Sequence, residues 1–299
     1  MSKIEYWPLS NGVKVPAIGF GVGSAWRVQK QQYDPDYIMP ELVESIEHAI
    51  DAGYDHIDSA EIYLTRKELH IGLTNKKVDR SKIFLTDKHF CGTDRLPTFT
   101  SSPYESLEIS LKDLQTEYID LYLLHSSNVN YGERKYLTNE EQWKHMEQAY
   151  KEGKARAIGV SNYSAESIEK LLKVAEIKPQ ALQIEFHAMC QEKTPKIMEF
   201  CKEHKIQVFA YAPLAPLTLV KEKTPLGEFV SELATKYGKT EAQIYLRWVS
   251  QSGVVPITTS GKVQRLKDAR DIYSFKLESE DYEKIKQLGK EQAETFYKW

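Results

Sequence analysis

The sequence predicts an α/β fold, a (β/α)8 barrel of the TIM type with an N-terminal β-hairpin closing its bottom. Three observations predict it: the chain length, eight short apolar runs, and amphipathic segments between those runs. The chain has 299 residues, 41% of them hydrophobic, which allows about 37 residues for each strand–helix unit. An open parallel sheet of eight units would give a similar pattern. No Pro/Gly/Ser-rich linker divides the chain, so we expect residues 1–299 to form one domain.

The apolar runs are typical of parallel strands buried on both faces, because several place apolar, often β-branched residues at consecutive positions. Their centres are Ala17–Ile18, His56–Asp58, Ile83–Thr86, Ile119–His125, Ala155–Val160, Ala181–Glu185, Gln207–Tyr211 and Val254–Ile257.

Helices are predicted between the apolar runs. The evidence is the helical spacing of apolar residues and the capping or stop residues at the helix ends. Pro40–Ala52 keeps helical spacing and is followed by Gly53, a common stop. Ser164 is the expected N-cap of a helix over 164–175, and Thr240 followed by Gln243 is a capping box.

Four other segments are interpreted from their turn residues and their polarity. Asn11-Gly12 lies between apolar runs and predicts a type I′ hairpin turn. Residues 26–35 are polar and aperiodic, so we predict no helix there. The loop Ser126–Thr138 and the tail after Leu277 are additions to the barrel.

Composition excludes several classes of partner. Lys plus Arg is 40 and Asp plus Glu is 43, a net charge of −3, which favours neither nucleic acid nor a membrane surface. No apolar run approaches the length of a membrane span, and the N-terminus lacks a signal peptide, so we expect a cytoplasmic protein. Its three cysteines form no CxxC pair, which argues against disulfides and a metal site. Monomer and homodimer both stay open.

Several familiar motifs are incomplete. The segment 19–24 is one glycine short of GxGxxG, and no phosphate loop surrounds Ser260-Gly261-Lys262. Ser161 lacks the second glycine of a nucleophile elbow, and no HExxH pair is present. These gaps argue against a Rossmann domain, a P-loop protein, a serine hydrolase and a zinc protease.

Polar residues at the strand ends are the candidates for chemistry, because barrel active sites lie at the C-terminal ends of the strands. Asp58, Lys88 and His125 follow three neighbouring runs, and Tyr63 lies five residues beyond Asp58. The four side chains should therefore converge on one mouth. A purely structural alternative is a buried Asp58–Lys88 ion pair with Tyr63 hydrogen-bonded to it.

The strand-end segments resemble the signatures of the aldo-keto reductases in family order. The matching segments are 53–63 (GYDHIDSAEIY), 121–125 (LYLLH), 159–163 (GVSNY), 183–187 (QIEFH) and 210–214 (AYAPL). The resemblance implies a barrel that binds extended NADPH without a Rossmann domain and reduces carbonyl compounds.

The resemblance also implies roles for the four candidates. Tyr63 would protonate the carbonyl oxygen, and Lys88 would lower the pKa of this phenol, which is about 10 when free. Asp58 would keep Lys88 charged and oriented. His125 would hydrogen-bond the substrate oxygen.

Cofactor-binding positions follow from the same matches. Ser161, Asn162 and Gln183 would bind the nicotinamide carboxamide, and Tyr211 would stack on the ring. The remaining expected cofactor contacts are Gly21, Val22, Gly23, Asp58, Pro213, Leu214, Thr259, Ser260, Gly261, Lys262 and Arg265.

Two departures from the family pattern bear on cofactor and substrate. The usual Lys-Ser after the proline of strand eight is replaced by Thr258-Thr259-Ser260-Gly261-Lys262, with Arg265 three residues on. Cations and hydroxyls at a helix start suit a 2′-phosphate, which favours NADPH over NADH. Ser126 stands where many aldehyde-reducing members carry tryptophan. The Thr-Thr-Ser-Gly-Lys and Asp87-Lys88-His89-Phe90 stretches most resemble a fungal subgroup that reduces conjugated polyketones, α-keto amides and ketopantoyl lactone.

The substrate is expected to meet Tyr63, His125 and an apolar wall formed by Trp26, Phe90 and the 126–138 loop with Tyr131 and Gly132. Arg134 and Lys135 belong to that loop and are assigned to solvent, so no cation is expected at the mouth. We therefore expect neutral α-dicarbonyls to be reduced better than α-keto acids or sugars.

Three alternative functions remain. One is a broad-specificity aldehyde or aldose reductase. A Schiff-base aldolase using Lys88 would leave Ser161, Gln183 and Tyr211 without a role. A non-catalytic NADPH-binding subunit would not need the four catalytic candidates.

Overall fold

The computed structural model of the protein describes residues 5–23, 25–30, 37–92, 98–127 and 137–297. Eight parallel strands form a closed barrel in the order β10-β3-β4-β5-β6-β7-β8-β9, and β1 and β2 form a separate antiparallel hairpin. The strands are β1 Tyr6–Pro8, β2 Lys14–Pro16, β3 Gly19–Gly21, β4 His56–Asp58, β5 Phe84–His89, β6 Leu121–Leu124, β7 Ile158–Ser161, β8 Ala181–Glu185, β9 Gln207–Tyr211 and β10 Val255–Thr258. The barrel prediction is confirmed.

Helices surround the barrel and connect its strands. They are α1 Ala25–Lys30, α2 Pro40–Asp51, α3 Arg66–Asn75, α4 Pro103–Leu114, α5 Asn139–Lys151, α6 Ala165–Leu172, α7 Ile197–Glu203, α8 Ala215–Thr218, α9 Pro225–Tyr237, α10 Glu241–Gln251, α11 Val263–Arg270 and α12 Ser279–Glu291, with 3-10 turns η1 Glu61–Tyr63, η2 Arg80–Lys82 and η3 Asp271–Ser274. Among the described helices, none is long and apolar enough to cross a membrane.

The predicted helix ends are confirmed where a side chain defines them. Ser164 accepts a hydrogen bond from the Ser167 amide at the start of α6. Thr240 and Gln243 form a reciprocal capping box on α10. Such caps satisfy amides that have no partner within the helix, and each typically contributes about 1 kcal/mol.

Strand register brings the polar strand ends to one mouth of the barrel. Asp58 is paired with Gly21 of β3 on one side and with Thr86 of β5 on the other. Ser161 of β7 is paired with Gln183 of β8. Because all eight strands are parallel, their carboxyl ends share this rim, where the loops carry the candidate chemistry.

The hairpin closes the opposite end of the barrel, as predicted. Leu9 and Val15 are buried with Phe84, Leu121 and Phe209 in one apolar cluster inside the barrel. Each such side chain contributes about 1.5–3 kcal/mol on leaving water. The hairpin therefore acts as a plug for the barrel interior.

The predicted hairpin turn type was wrong. A type I′ turn needs positive φ at both central residues, but only Gly12 has one, at 86°. The amide of Leu9 donates to the Val13 carbonyl at 2.8 Å, which closes a three-residue loop. The Asn11 amide also donates to the carbonyl of Arg156 at 3.0 Å, so a tertiary contact favours this longer loop.

Two further boundary predictions were wrong. The first barrel strand begins at Gly19, after the predicted centre at Ala17–Ile18, because the Ala17 amide still pairs with the Glu5 carbonyl at 2.9 Å and extends the hairpin. Residues 25–30 form helix α1, although no helix was expected from residue 26 onward. Lys30 of α1 is buried in an ion pair with Glu68 of α3, at 2.5 Å, so this short helix depends on a tertiary contact that periodicity does not show.

Candidate active site

A buried ion pair lies at the centre of the rim. The Lys88 ammonium donates to Asp58 Oδ1 at 2.6 Å and to the carbonyl of Ser59 at 2.8 Å. The Lys88 side chain is 0% exposed and that of Asp58 is 5% exposed. Asp58 Oδ2 accepts from the Gln183 amide at 2.7 Å, across the barrel from β8. Both carboxylate oxygens of Asp58 are thus engaged, which fixes the position of Lys88.

The ion pair keeps Lys88 positively charged. Burial alone would lower the pKa of this ammonium, but Asp58 and Tyr63 outweigh burial and raise it. A buried charge is tolerated when an opposite charge and hydrogen bonds compensate its desolvation. Lys88 therefore presents a fixed positive charge to its neighbours at neutral pH.

Tyr63 lies beside this charge at the end of the 3-10 turn η1. Its ring centroid is 5.2 Å from Lys88 Nζ. Burial raises the pKa of Tyr63, and Lys88 opposes that rise without cancelling it. The expected net lowering of this pKa was therefore wrong, although Lys88 acts in the predicted direction. Tyr63 is a protonated phenol at neutral pH, next to a cation that stabilises its phenolate form.

His125 completes the group from the end of β6. Its ring meets that of Tyr63 edge to face, with centroids 5.7 Å apart. Burial, reinforced by the positive charge of Lys88, holds the pKa of His125 well below its usual range. The imidazole is therefore neutral at physiological pH, and it can donate a hydrogen bond without acting as the main proton source.

Glu61 supports the group and was missed by the sequence analysis. Its carboxylate accepts from the Phe90 amide at 2.7 Å and from the Thr100 hydroxyl at 3.0 Å. His89 Nδ1 lies 3.2 Å from the same carboxylate. These contacts tie the turn that carries Tyr63 to the strand that carries Lys88. Glu61 lies within the matched segment 53–63, but nothing in the pattern distinguishes it from a surface glutamate.

The residues expected to hold the nicotinamide form one hydrogen-bonded row. The Ser161 hydroxyl donates to the Gln183 carbonyl at 2.8 Å. The Asn162 amide donates to the His125 carbonyl at 2.9 Å, and its oxygen accepts from the Tyr211 hydroxyl at 2.8 Å. The structure thus brings together the carboxamide candidates and the ring expected to stack. Pro213 and Leu214 follow Tyr211 immediately, before α8.

The residues expected to hold a phosphate lie at the start of α11. The Ser260 hydroxyl accepts from the Lys262 amide at 3.1 Å. Thr259, Gly261, Lys262 and Arg265 are exposed. In the described part of the chain, no carboxylate forms a salt bridge with Lys262 or Arg265. This set of cations and hydroxyls fits an anionic group.

Glycines let the backbone pass close to the mouth at β3. A Cβ at Gly23 would lie 2.3 Å from Cε2 of Tyr63, so any side chain there would displace the phenol ring. At Gly21, the nearest atom to such a Cβ would be Ile257 Cγ2 at 3.3 Å. Val22 is buried and its amide donates to the Asp58 carbonyl at 3.0 Å.

The predicted apolar wall is only partly present. Phe90 is fully buried with Ala60 and Ile62, so it supports Tyr63 and offers no surface to a substrate. Trp26 donates from its indole nitrogen to the Thr259 hydroxyl at 3.3 Å, which places it beside the phosphate candidates. The assignment of Phe90 was wrong because the strand continues through His89 and the ring that follows is buried. The assignment of Trp26 to the wall stays a prediction.

The rest of the predicted wall lies outside the described residues. Tyr131, Gly132, Arg134 and Lys135 belong to this part of the chain. Beside the larger effect of burial, the positive charge of Arg27, on α1, acts to lower the pKa of both Tyr63 and His125.

One group of possible metal ligands occurs among the described residues. Glu185, His187 and Cys190 have ligand atoms within 4.8 Å of one another. The Glu185 carboxylate is already shared among the Phe296 amide, the Tyr297 amide, His187 Nε2 and the Lys193 ammonium. These contacts fasten the C-terminal segment to β8. They account for the group without a metal ion.

The fold and the site together define a class of barrel enzyme in which a phenol, an imidazole and a buried lysine–aspartate pair share one mouth. A model of the Aldo/keto reductase family matches residues 17–290. The chain belongs to the aldo/keto reductase family, and it is an oxidoreductase.

Curated relatives and solved structures agree with this assignment. The chain is 45% identical over 300 residues to an NADPH-dependent alpha-keto amide reductase of Saccharomyces cerevisiae, covering 99% of this chain and 94% of the yeast protein. It is 37% identical to a glyoxal reductase of Bacillus subtilis, covering 95% of this chain and 92% of the bacterial protein. A Bombyx mori aldo-keto reductase solved in complex with NADP superposes with a TM-score of 0.81 at 28% identity, covering 96% of this chain and 94% of that one. The predicted resemblance to the fungal subgroup is confirmed by the yeast relative.

Proposed function

We propose that this protein is an NADPH-dependent reductase of activated ketones, a class that includes α-dicarbonyls, conjugated polyketones and ketopantoyl lactone. The observation that carries the proposal is the protonated Tyr63 phenol, held against the Lys88–Asp58 pair and the His125 ring. The similarity to an alpha-keto amide reductase and to a glyoxal reductase supports a substrate with two adjacent carbonyls.

Each side chain at the mouth of the barrel has one role in carbonyl reduction. When bound, NADPH would supply the hydride that the carbonyl carbon takes up. Tyr63 donates its phenolic proton to the carbonyl oxygen, so the ketone becomes an alcohol, and Lys88 stabilises the phenolate that remains. Neutral His125 donates a hydrogen bond to the same oxygen and orients it. Tyr63 regains its proton from water.

The described residues fit this cofactor at both ends. Ser161, Asn162 and Gln183 carry the donors and acceptors that a carboxamide requires, beside the aromatic face of Tyr211. Lys262 and Arg265, with the Thr259 and Ser260 hydroxyls, would hold the 2′-phosphate. Gly21 and Gly23 keep the backbone near the mouth free of side chains.

Removing the Lys262 ammonium tests the phosphate assignment. Lys262→Ala should weaken NADPH binding about 10- to 150-fold, because a charge-assisted contact contributes roughly 1.5–3 kcal/mol. NADH lacks the 2′-phosphate, so its affinity should hardly change. Titration of both reduced cofactors by fluorescence measures the two affinities. Equal losses of affinity for NADPH and NADH, or no loss for either, would reject the role of Lys262. Ser260 or Arg265 would then be the next candidate for binding the 2′-phosphate.

A substrate panel tests the proposed class of ketone. Isatin and ketopantoyl lactone should be reduced with higher kcat/KM than xylose. The adjacent carbonyl makes hydride addition easier, whereas each sugar hydroxyl left unpaired costs about 1–3 kcal/mol. Oxidation of NADPH gives the rates. Equal efficiency with xylose would favour the broad aldose-type alternative.

A further inference from the structure

Two short segments carry the phenol and the ammonium of the candidate site. Residues 61–66 contain Tyr63, and residues 87–90 contain Lys88. The centroid of the Tyr63 ring lies 5.2 Å from Lys88 Nζ. This distance matters for proton donation, because the ammonium has to stabilise the phenolate that remains. Contacts that hold the two segments together therefore bear on the rate.

The first contact, the Glu61 tie, joins the start of one segment to the end of the other. Glu61 Oε2 accepts from the Phe90 amide at 2.7 Å, and His89 Nδ1 lies 3.2 Å from the same oxygen. Glu61 Oε1 accepts from the Thr100 hydroxyl at 3.0 Å. Both carboxylate oxygens are thus engaged, and the tie reaches the backbone two residues beyond Lys88.

The second contact, the Arg66 tie, joins the opposite ends of the same two segments. Arg66 donates from Nε and Nη2 to Asp87 Oδ2, at 3.0 and 2.7 Å. Both side chains are buried. The Ser110 hydroxyl donates to the same oxygen at 2.6 Å, so α4 also holds Asp87 in place. Two residues separate Arg66 from Tyr63.

The two ties flank the reacting pair on both segments. Tyr63 lies between Glu61 and Arg66, and Lys88 follows Asp87 directly. Buried hydrogen bonds to charged groups are short and directional, so a pair of them restrains one segment against the other. Catalytic groups need such support, because their rate depends on geometry held to a fraction of an ångström.

We propose that Glu61 and Arg66 are positioning residues for the reduction, which hold the Tyr63 phenol at its distance from the Lys88 ammonium. The inference rests on the proposed function and adds two residues to it. Each residue acts through Tyr63 and needs no contact with the substrate. A misplacement of about 1 Å can cost about 10²-fold in rate, so loosening either tie should lower kcat.

A double-mutant cycle with Tyr63→Phe tests the Glu61 tie. Glu61→Met keeps an unbranched side chain but removes both acceptors, so kcat for isatin should fall about 10- to 100-fold. In the Tyr63→Phe background, the same change should lower the residual single-turnover rate by less than about threefold, because the hydroxyl that Glu61 positions is gone. Affinity for NADPH should hardly change in either background.

The conservative variant Glu61→Gln should recover most of the rate. Its carbonyl can still accept from the Phe90 amide, and the Thr100 hydroxyl can accept from its NH₂ group. The recovery would show that the hydrogen bonds of Glu61, and not its charge, position the phenol.

Arg66→Lys tests the second tie. Lysine keeps the positive charge beside Asp87 but lacks the paired donors of the guanidinium, so kcat should fall about 3- to 10-fold, again only where Tyr63 has its hydroxyl. Because this variant leaves no buried group without a partner charge, it also tests the proposal if Glu61→Met does not fold.

Asp120→Leu is the matched control, since it removes a buried carboxylate that also accepts from an amide of β5. Asp120 accepts from the Leu85 amide at 3.0 Å, at the end of the strand away from Lys88, and from two arginines. Its loss should lower the free energy of unfolding and leave kcat unchanged.

The outcomes separate the positioning role from stability and from the proposed function. An unchanged kcat would overturn the role of the residue replaced, and so would equal losses in the two backgrounds. An equal loss in Asp120→Leu would overturn both roles, because lost stability alone would then lower the rate.

If the wild type did not reduce isatin, the proposed function would fail, and the position of the phenol could still be measured. Fluorine NMR of protein labelled with meta-fluorotyrosine reports it, and the Tyr63 resonance is the one lost in Tyr63→Phe. This resonance should shift in Glu61→Met and not in Asp120→Leu. An unchanged resonance in Glu61→Met would refute the positioning role.

Discussion

Replacing Tyr63 with phenylalanine should lower kcat for carbonyl reduction by about 10²–10⁴-fold, the usual cost of losing a general acid. The substitution removes one hydroxyl and keeps the ring that contacts His125, so the surrounding packing should persist. Affinity for NADPH should stay nearly unchanged, because the phenol acts on the substrate oxygen. Steady-state kinetics with isatin and a cofactor titration measure the two quantities.

Measuring kcat and NADPH affinity together distinguishes a general acid from a cofactor ligand. A variant that retained more than about a tenth of wild-type turnover would exclude Tyr63 as the general acid. A large loss of NADPH affinity would show that the hydroxyl holds the cofactor. Either result would leave the buried Lys88–Asp58 pair as a structural feature only.

Replacing Lys88 with methionine should lower the free energy of unfolding by about 3–5 kcal/mol, because Asp58 would be left as a buried charge without its cation. Gln183 would still donate to the carboxylate, but it carries no charge. Activity should also fall, since no ammonium would remain to stabilise the Tyr63 phenolate. Urea unfolding and steady-state kinetics measure the two effects.

Two further variants separate stability from catalysis. Adding Asp58→Asn to Lys88→Met removes the stranded charge, so the double variant should regain much of its stability and none of its activity. Lys151→Met breaks an exposed pair with Glu176, 2.7 Å long, and should lower the free energy of unfolding far less than Lys88→Met does, because exposed ion pairs are screened by water. If Lys88→Met lowered the free energy of unfolding as little as Lys151→Met does, Asp58 would not be a costly buried charge in the absence of Lys88.

Much of the site was predictable because barrel strands place their last residues on one rim. Asp58, Lys88 and His125 each end an apolar run, and Tyr63 follows at a short distance. The pattern therefore gave the four side chains and their convergence. The expected lowering of the pKa of Tyr63 was wrong, because the net change depends on how deeply the phenol is buried.

The features that escaped prediction depend on tertiary contacts. Helix α1 is too short to show periodicity, and the Lys30–Glu68 ion pair that stabilises it joins residues 38 positions apart. The hairpin turn was mispredicted because Asn11 contacts Arg156, a partner that the local sequence does not reveal.

Carbonyl reduction is measured most directly by following NADPH fluorescence while the protein is given isatin, with borohydride trapping in parallel. A carbonyl reductase should consume NADPH in proportion to the alcohol formed, and borohydride should trap no covalent adduct. Covalent capture at Lys88 would indicate a Schiff-base aldolase. Binding of NADPH with neither consumption nor capture would indicate a non-catalytic subunit, and either result would contradict the assignment as a reductase.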